Sequence, residues 1–67
     1  MELQINGQTR QVRQAQSLTA LLAELEVDTA SGVAVLRNGE VVRRKDWPTV
    51  TPTEGDEIEI VRPTVGG

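Results

Sequence analysis

Hydrophobic spacing changes character along this chain, and each change predicts an element. Near the start, Glu2-Leu3-Gln4-Ile5 alternates polar and apolar residues, the period-2 signature of a half-buried strand. Asn6-Gly7 follows, the strongest short signal for a tight hairpin turn, so residues 2–13 read as a hairpin returning over Gln8 to Arg13. A two-residue turn places Val12 on the face of Leu3 and Ile5, which suits a core. It also places Gln8 and Arg10 there, which argues for a longer loop. Leu18, Leu21, Leu22 and Leu25 then recur at i, i+3, i+4 and i+7, one apolar stripe on a helix. Ser17 offers the N-cap, and alanines with Glu24 supply strong helix formers on the other face. The helix is expected to end near Glu26 and give way to a loop over residues 28–32.

The pattern then returns to strand spacing. Val33-Ala34-Val35-Leu36 is a short apolar run with β-branched residues, turned by Arg37-Asn38-Gly39-Glu40 and answered by Val41-Val42. Arg43 to Trp47 follows, ended by Pro48. Residues 52–56 form a second turn cluster. Glu57-Ile58-Glu59-Ile60-Val61 alternates cleanly, with Ile58 and Ile60 facing in. A hairpin, a helix, a second hairpin and a last strand give an α+β chain. One helix covers only one face of such a sheet. The arrangement is that of a β-grasp (ubiquitin-like) fold: a mixed sheet with one main helix packed on one face. Its last strand lies beside the first, so the C-terminus leaves from the middle of the sheet. Residues 1–62 are expected to form this domain, and residues 63–67 a flexible C-terminal tail.

Composition narrows the function classes. A chain of 67 residues has room for one small core and buries only about 60 % of the surface its unfolded form exposes. It contains no cysteine or histidine, so the commonest nucleophile–base pairs and transition-metal ligands are missing. No Gly-rich phosphate-binding pattern occurs, and neither a catalytic residue, a metal nor a cofactor is expected. The net charge of −3 and the single aromatic, Trp47, argue against nucleic acid. No apolar run approaches membrane-spanning length and no secretory leader is present, so the cytoplasm is the expected compartment. A protein that is acted upon, or that binds, fits these properties better than an enzyme.

The tail carries the candidate chemistry. After Arg62-Pro63-Thr64-Val65 come Gly66 and Gly67. Pro63 fixes its own φ and pushes Arg62 towards extended conformations. The residues from Pro63 onward reach roughly 17 Å when extended. A terminal glycine has no Cβ, so its carboxylate enters a channel too narrow for a side chain. Elsewhere, Trp47 is read as capping the core more than as a docking anchor, and Arg43, Arg44 and Lys45 as a solvated turn. The acidic run Glu54, Asp56, Glu57 and Glu59 fits a partner's basic surface and a solvated strand face equally well.

Taken in order, the opening hairpin with Asn6-Gly7, the leucine helix, Asn38-Gly39-Glu40, Arg44-Lys45-Asp46-Trp47, residues 54–61 and Gly66-Gly67 carry a resemblance. Over essentially its whole length the chain resembles the bacterial sulfur carriers of thiamine biosynthesis, the ThiS family. It departs from them at Arg43, where members often carry proline. The resemblance implies that Gly67 is adenylated by a ubiquitin-activating-enzyme-like (ThiF-like) adenylyltransferase. A persulfide sulfur donor then converts it to a thiocarboxylate, and a thiazole synthase (ThiG-like) takes that sulfur for the thiazole ring of thiamine. Gly66, Val65 and Arg62 are the expected tail-recognition residues. Service to molybdopterin, cysteine or tRNA thiolation, and a role as a ubiquitin-like protein modifier, are the alternatives.

Overall fold

The computed structural model describes residues 1–13 and 15–62. Five strands form one sheet: β1 (Glu2–Ile5), β2 (Gln8–Gln11), β3 (Ala34–Arg37), β4 (Glu40–Val42) and β5 (Glu57–Val61). Their order is β2-β1-β5-β3-β4. The last strand is therefore central, parallel to β1 with Ile5 opposite Ile58, and antiparallel to β3 with Val35 opposite Ile60. This is the β-grasp arrangement expected from the element order. No helix among the described residues is long and apolar enough to cross a membrane.

Helix α1 (Leu18–Glu24) crosses one face of the sheet. The Ser17 hydroxyl accepts the amide of Ala20 at 3.0 Å, which satisfies an orphan donor of the first turn. Leu18, Leu21 and Leu22 are buried against Leu3, Ile5, Val35, Ile58 and Ile60, with Leu25 half-buried at the margin. The stripe is core. The helix stops two residues before Glu26, and the reason lies in its C-terminus. Glu26 has φ 58°, and its amide donates to Ala23 O (3.1 Å) while that of Val27 donates to Leu22 O (3.0 Å). That is a Schellman cap, in which Glu26 occupies the left-handed position usually given to glycine.

The remaining differences are local. Residues expected as loop include one 3-10 turn, Thr29–Ser31, capped by the Asp28 carboxylate. The chain after Val42 is a 3-10 helix, Arg44–Thr49, which continues through Pro48. It seats Trp47 in the core at 4 % exposure, with its indole N–H donating to Val42 O at 3.0 Å. Arg43, Arg44 and Lys45 are exposed, as a solvated segment should be, with the Arg44 guanidinium 5.3 Å from the Trp47 ring centre. The first hairpin does use the two-residue turn, with Ile5 opposite Gln8 and Leu3 opposite Arg10. The expected longer loop is unnecessary because Gln8 and Arg10 stay exposed on an edge strand. A helix about 10 Å wide covers little more than two strands spaced about 4.8 Å apart.

Candidate functional site

β5 ends at Val61, and the chain that carries Gly67 continues from it. β5 is buried through Ile58 and Ile60, while Glu57, Glu59 and Val61 face the open side and are exposed. Arg62 follows, also exposed. It borders a shallow depression on the helix side with Arg10, Leu25 and Val27. The exit thus has acidic residues on the open face and two guanidinium groups on the helix side. Val65, Gly66 and Gly67, the other expected tail residues, lie outside the described residues.

Two Asn-Gly turns hold the ends of β5, one at each end of the sheet. Beyond Ile5 the backbone of β1 turns away, with φ 50° at Asn6 and 80° at Gly7. The main chain of Asn6 makes one last parallel bond, its amide to Ile58 O at 2.9 Å. Its side chain then continues the ladder: the Ile60 amide donates to Asn6 Oδ1 at 2.7 Å, and Asn6 Nδ2 donates to Ile60 O at 3.3 Å. A carboxamide has the donor and acceptor of a peptide group, so it substitutes for the strand that has left. At the opposite end, the Glu57 amide donates to Asn38 Oδ1 at 2.9 Å, and the Asn38 amide to Glu57 O at 2.7 Å.

Asn38 belongs to a second polar cluster. Arg37 Nε (2.8 Å) and the Thr53 amide (2.8 Å) donate to Asp56 Oδ2, and Asn38 Nδ2 (3.1 Å) and the Thr53 hydroxyl (3.0 Å) to Oδ1. Burial by itself raises the pKa of this carboxyl. The Thr53 amide, Arg37, Asn38 and the Thr53 hydroxyl outweigh burial and bring it to about 2. Asp56 is therefore not part of an acidic docking run: it is 7 % exposed and ties β5 to β3 from within. Glu54 is likewise engaged, accepting the Glu2 amide at 2.9 Å. Only Glu57 and Glu59 of that run lie on the open strand face. Among the described residues no group of His, Cys, Asp or Glu is arranged to hold a metal ion.

Sequence reasoning read Asn6 and Asn38 as turn formers and missed their side-chain bonds to β5. No local signal marks them, because the partners of Asn6 lie 54 residues away.

Family comparison matches residues 3–67 to the model of the ThiS family. The chain belongs to the ThiS family. The sequence resemblance is thereby established, and the ThiS family is one of small carrier proteins and not of catalysts. A crystal structure of a thiamine biosynthesis protein (ThiS) from Geobacter metallireducens superposes with a TM-score of 0.84 at 36% identity, covering 100% of both chains. An NMR solution structure of a thiamine biosynthesis protein from the same organism gives 0.81 at 36% identity, covering 100% of this chain and 88% of that one. A curated relative, named thiazole synthase, from Paramagnetospirillum magneticum is 42% identical over 67 residues. This chain spans 20% of that relative's length.

Proposed function

We propose that this ThiS-family chain is a protein sulfur carrier for the thiazole ring of thiamine, acting in the cytoplasm through the carboxylate of Gly67. The observation that carries the reading is the family match, which runs through the Gly66-Gly67 end. The named relative supports the destination, since a segment similar to this chain lies within a polypeptide called thiazole synthase.

The chemistry follows from the terminal carboxylate. A terminal carboxylate is ionised at neutral pH and is therefore a poor electrophile. A ThiF-like adenylyltransferase directs a carboxylate oxygen onto the α-phosphorus of ATP; pyrophosphate leaves, and an acyl-adenylate replaces a very poor leaving group by AMP. The outer sulfur of a persulfide donor attacks the acyl carbon, and AMP departs with the bonding electron pair. A thiol then reduces the resulting acyl disulfide. The products are a thiocarboxylate on Gly67 and a disulfide on the donor side. A ThiG-like synthase accepts that sulfur. The carrier contributes a stable mount and a narrow end: Gly66 and Gly67 present no side chain, Val65 supplies an apolar contact, and Arg62 pairs with a partner's carboxylate at the base of the tail.

Deleting Gly66 and Gly67 tests the reading. Pyrophosphate release with the activating enzyme should vanish, while unfolding stability changes by less than about 0.5 kcal/mol, as for surface changes away from packed features. A truncated chain that is still adenylated overturns the assignment of Gly67.

A further inference from the structure

We infer that Asn6 is a positioning residue for the C-terminal carboxylate, acting through its side-chain clamp on Ile60; this rests on the carrier reading given above. Ile58 and Ile60 turn their main-chain groups towards β1, as the bonds from Asn6 to both show. The next residue, Val61, pairs on the other side with Ala34 of β3. Among the described residues, the Asn6 carboxamide is therefore the last attachment of β5 on its β1 edge. It binds both main-chain groups of Ile60, one donated and one accepted. Seven positions separate Ile60 from Gly67 (67 − 60), a span of roughly 24 Å when extended.

The clamp matters because of where it sits, not because of what it contributes to the core. Without it, the end of β5 on the β1 edge has no partner past Ile58 among the described residues. The final residues of the strand are then held from the β3 side alone and can peel. The exit point moves towards Ile58, and the carboxylate loses a fixed origin relative to the face that a partner grips. Misplacement of a reacting group by about 1 Å can cost about a hundredfold in rate. A loosened origin seven residues back transmits part of that loss, and about tenfold is expected.

The sheet supplies its own control. Asn38 holds both main-chain groups of Glu57 at the far end of the same strand, one through its side-chain oxygen and the other through its own backbone amide, while its side-chain NH2 donates to Asp56. Asn6 and Asn38 share a positive φ, 50° and 51°, so glycine fits either turn while deleting the carboxamide. Each substitution thus deletes a carboxamide bonded to β5, at opposite ends of the strand: Asn6→Gly removes both bonds to Ile60, and Asn38→Gly removes one bond to Glu57 and one to Asp56.

The experiment measures pyrophosphate release by the activating enzyme as a function of carrier concentration, with backbone amide exchange read in parallel. Asn6→Gly should lower kcat about tenfold with KM within about twofold of wild type, and should speed exchange of the Ile60 amide roughly tenfold. Asn38→Gly should destabilise the domain yet leave kcat at the wild-type value. Asn6→Asp retains the acceptor for the Ile60 amide. It should preserve that amide's protection and recover most of kcat, and it carries the test if Asn6→Gly melts below the assay temperature. Equal kcat losses at both ends would assign Asn6 to general stability and overturn the inference. So would an Asn6→Gly chain with wild-type kcat, or an Asn6→Asp chain that keeps Ile60 protected but loses as much kcat as Asn6→Gly. If the wild-type chain itself yields no pyrophosphate, the carrier reading has failed. In that event an unchanged Ile60 exchange rate in Asn6→Gly refutes the clamp separately.

Discussion

Replacing Asp56 by asparagine removes one charge and reverses one of two acceptors inside a buried cluster. Both oxygens of Asp56 accept two bonds each, from Arg37 and the Thr53 amide on one side and from Asn38 and the Thr53 hydroxyl on the other. An asparagine in that place turns its NH2 group towards two donors, whichever way it is flipped. Stranding buried donors costs about 1–3 kcal/mol, and breaking a buried ion pair about 3–5 kcal/mol. Because Arg37 is 32 % exposed and can reach water, about 3 kcal/mol is the expected loss. A domain of this length has roughly 3–10 kcal/mol in all, so the melting midpoint should fall by roughly 10–20 °C.

The pH dependence makes the test specific. The folded carboxyl sits at about 2 against an ordinary 3.8. A depressed folded pKa means that the stabilisation is fully present above the unfolded value and is lost as pH falls through the folded one. The wild-type chain should therefore lose about 2 kcal/mol from this group between pH 5 and pH 2. Urea unfolding of wild type and Asp56→Asn across that interval measures both terms. The variant should be less stable at pH 7, and the gap should narrow as the pH approaches 2. Parallel curves, with a constant gap down to pH 2, would refute the assignment of acid sensitivity to this cluster.

Three further outcomes are expected. Leu21→Ala, at a side chain with no solvent exposure, should cost about 2–5 kcal/mol; an unchanged thermal midpoint would contradict its place at the centre of the core. Glu26→Gly should stabilise by about 0.5–1 kcal/mol, because glycine takes the left-handed C-cap at φ 58° without the penalty of a Cβ; a chemical denaturation curve shifted to lower midpoint would show that the Glu26 side chain makes a stabilising contact. Gly66→Ala should reduce kcat/KM for adenylation by about a hundredfold with the fold unchanged. Activation near the wild-type rate would mean that the tail must reach, not that it must be slim.

Much of the architecture was legible because it rests on short-range rules. The alternation in residues 57–61, the leucine spacing of α1 and the two Asn-Gly turns each draw on neighbours a few residues apart, and the structure has all of them. Element boundaries were less legible. A glutamate at a left-handed C-cap gives no signal of the kind glycine gives, so the end of α1 was placed two residues late. Gln8 and Arg10 looked misplaced on the apolar face because the pattern does not tell how far a helix reaches across a sheet.

What the tertiary structure alone decided is which polar groups meet. Asn6 and Ile60 are 54 residues apart, and Arg37 and Asp56 are 19 apart. A spacing rule reports the face a residue occupies, and Asp56 in Glu54-Gly55-Asp56-Glu57 reads as one more solvated acid in a charged stretch. Only strand order brings the β3–β4 turn and the segment before β5 together, which closes four donors around that carboxylate. The same order lays the first hairpin turn beside the exit of the last strand, where a carboxamide can replace a missing backbone. Hydrophobic periodicity is written residue by residue along the chain, but hydrogen-bond partnership is a property of pairs that only the packed sheet brings within 3 Å.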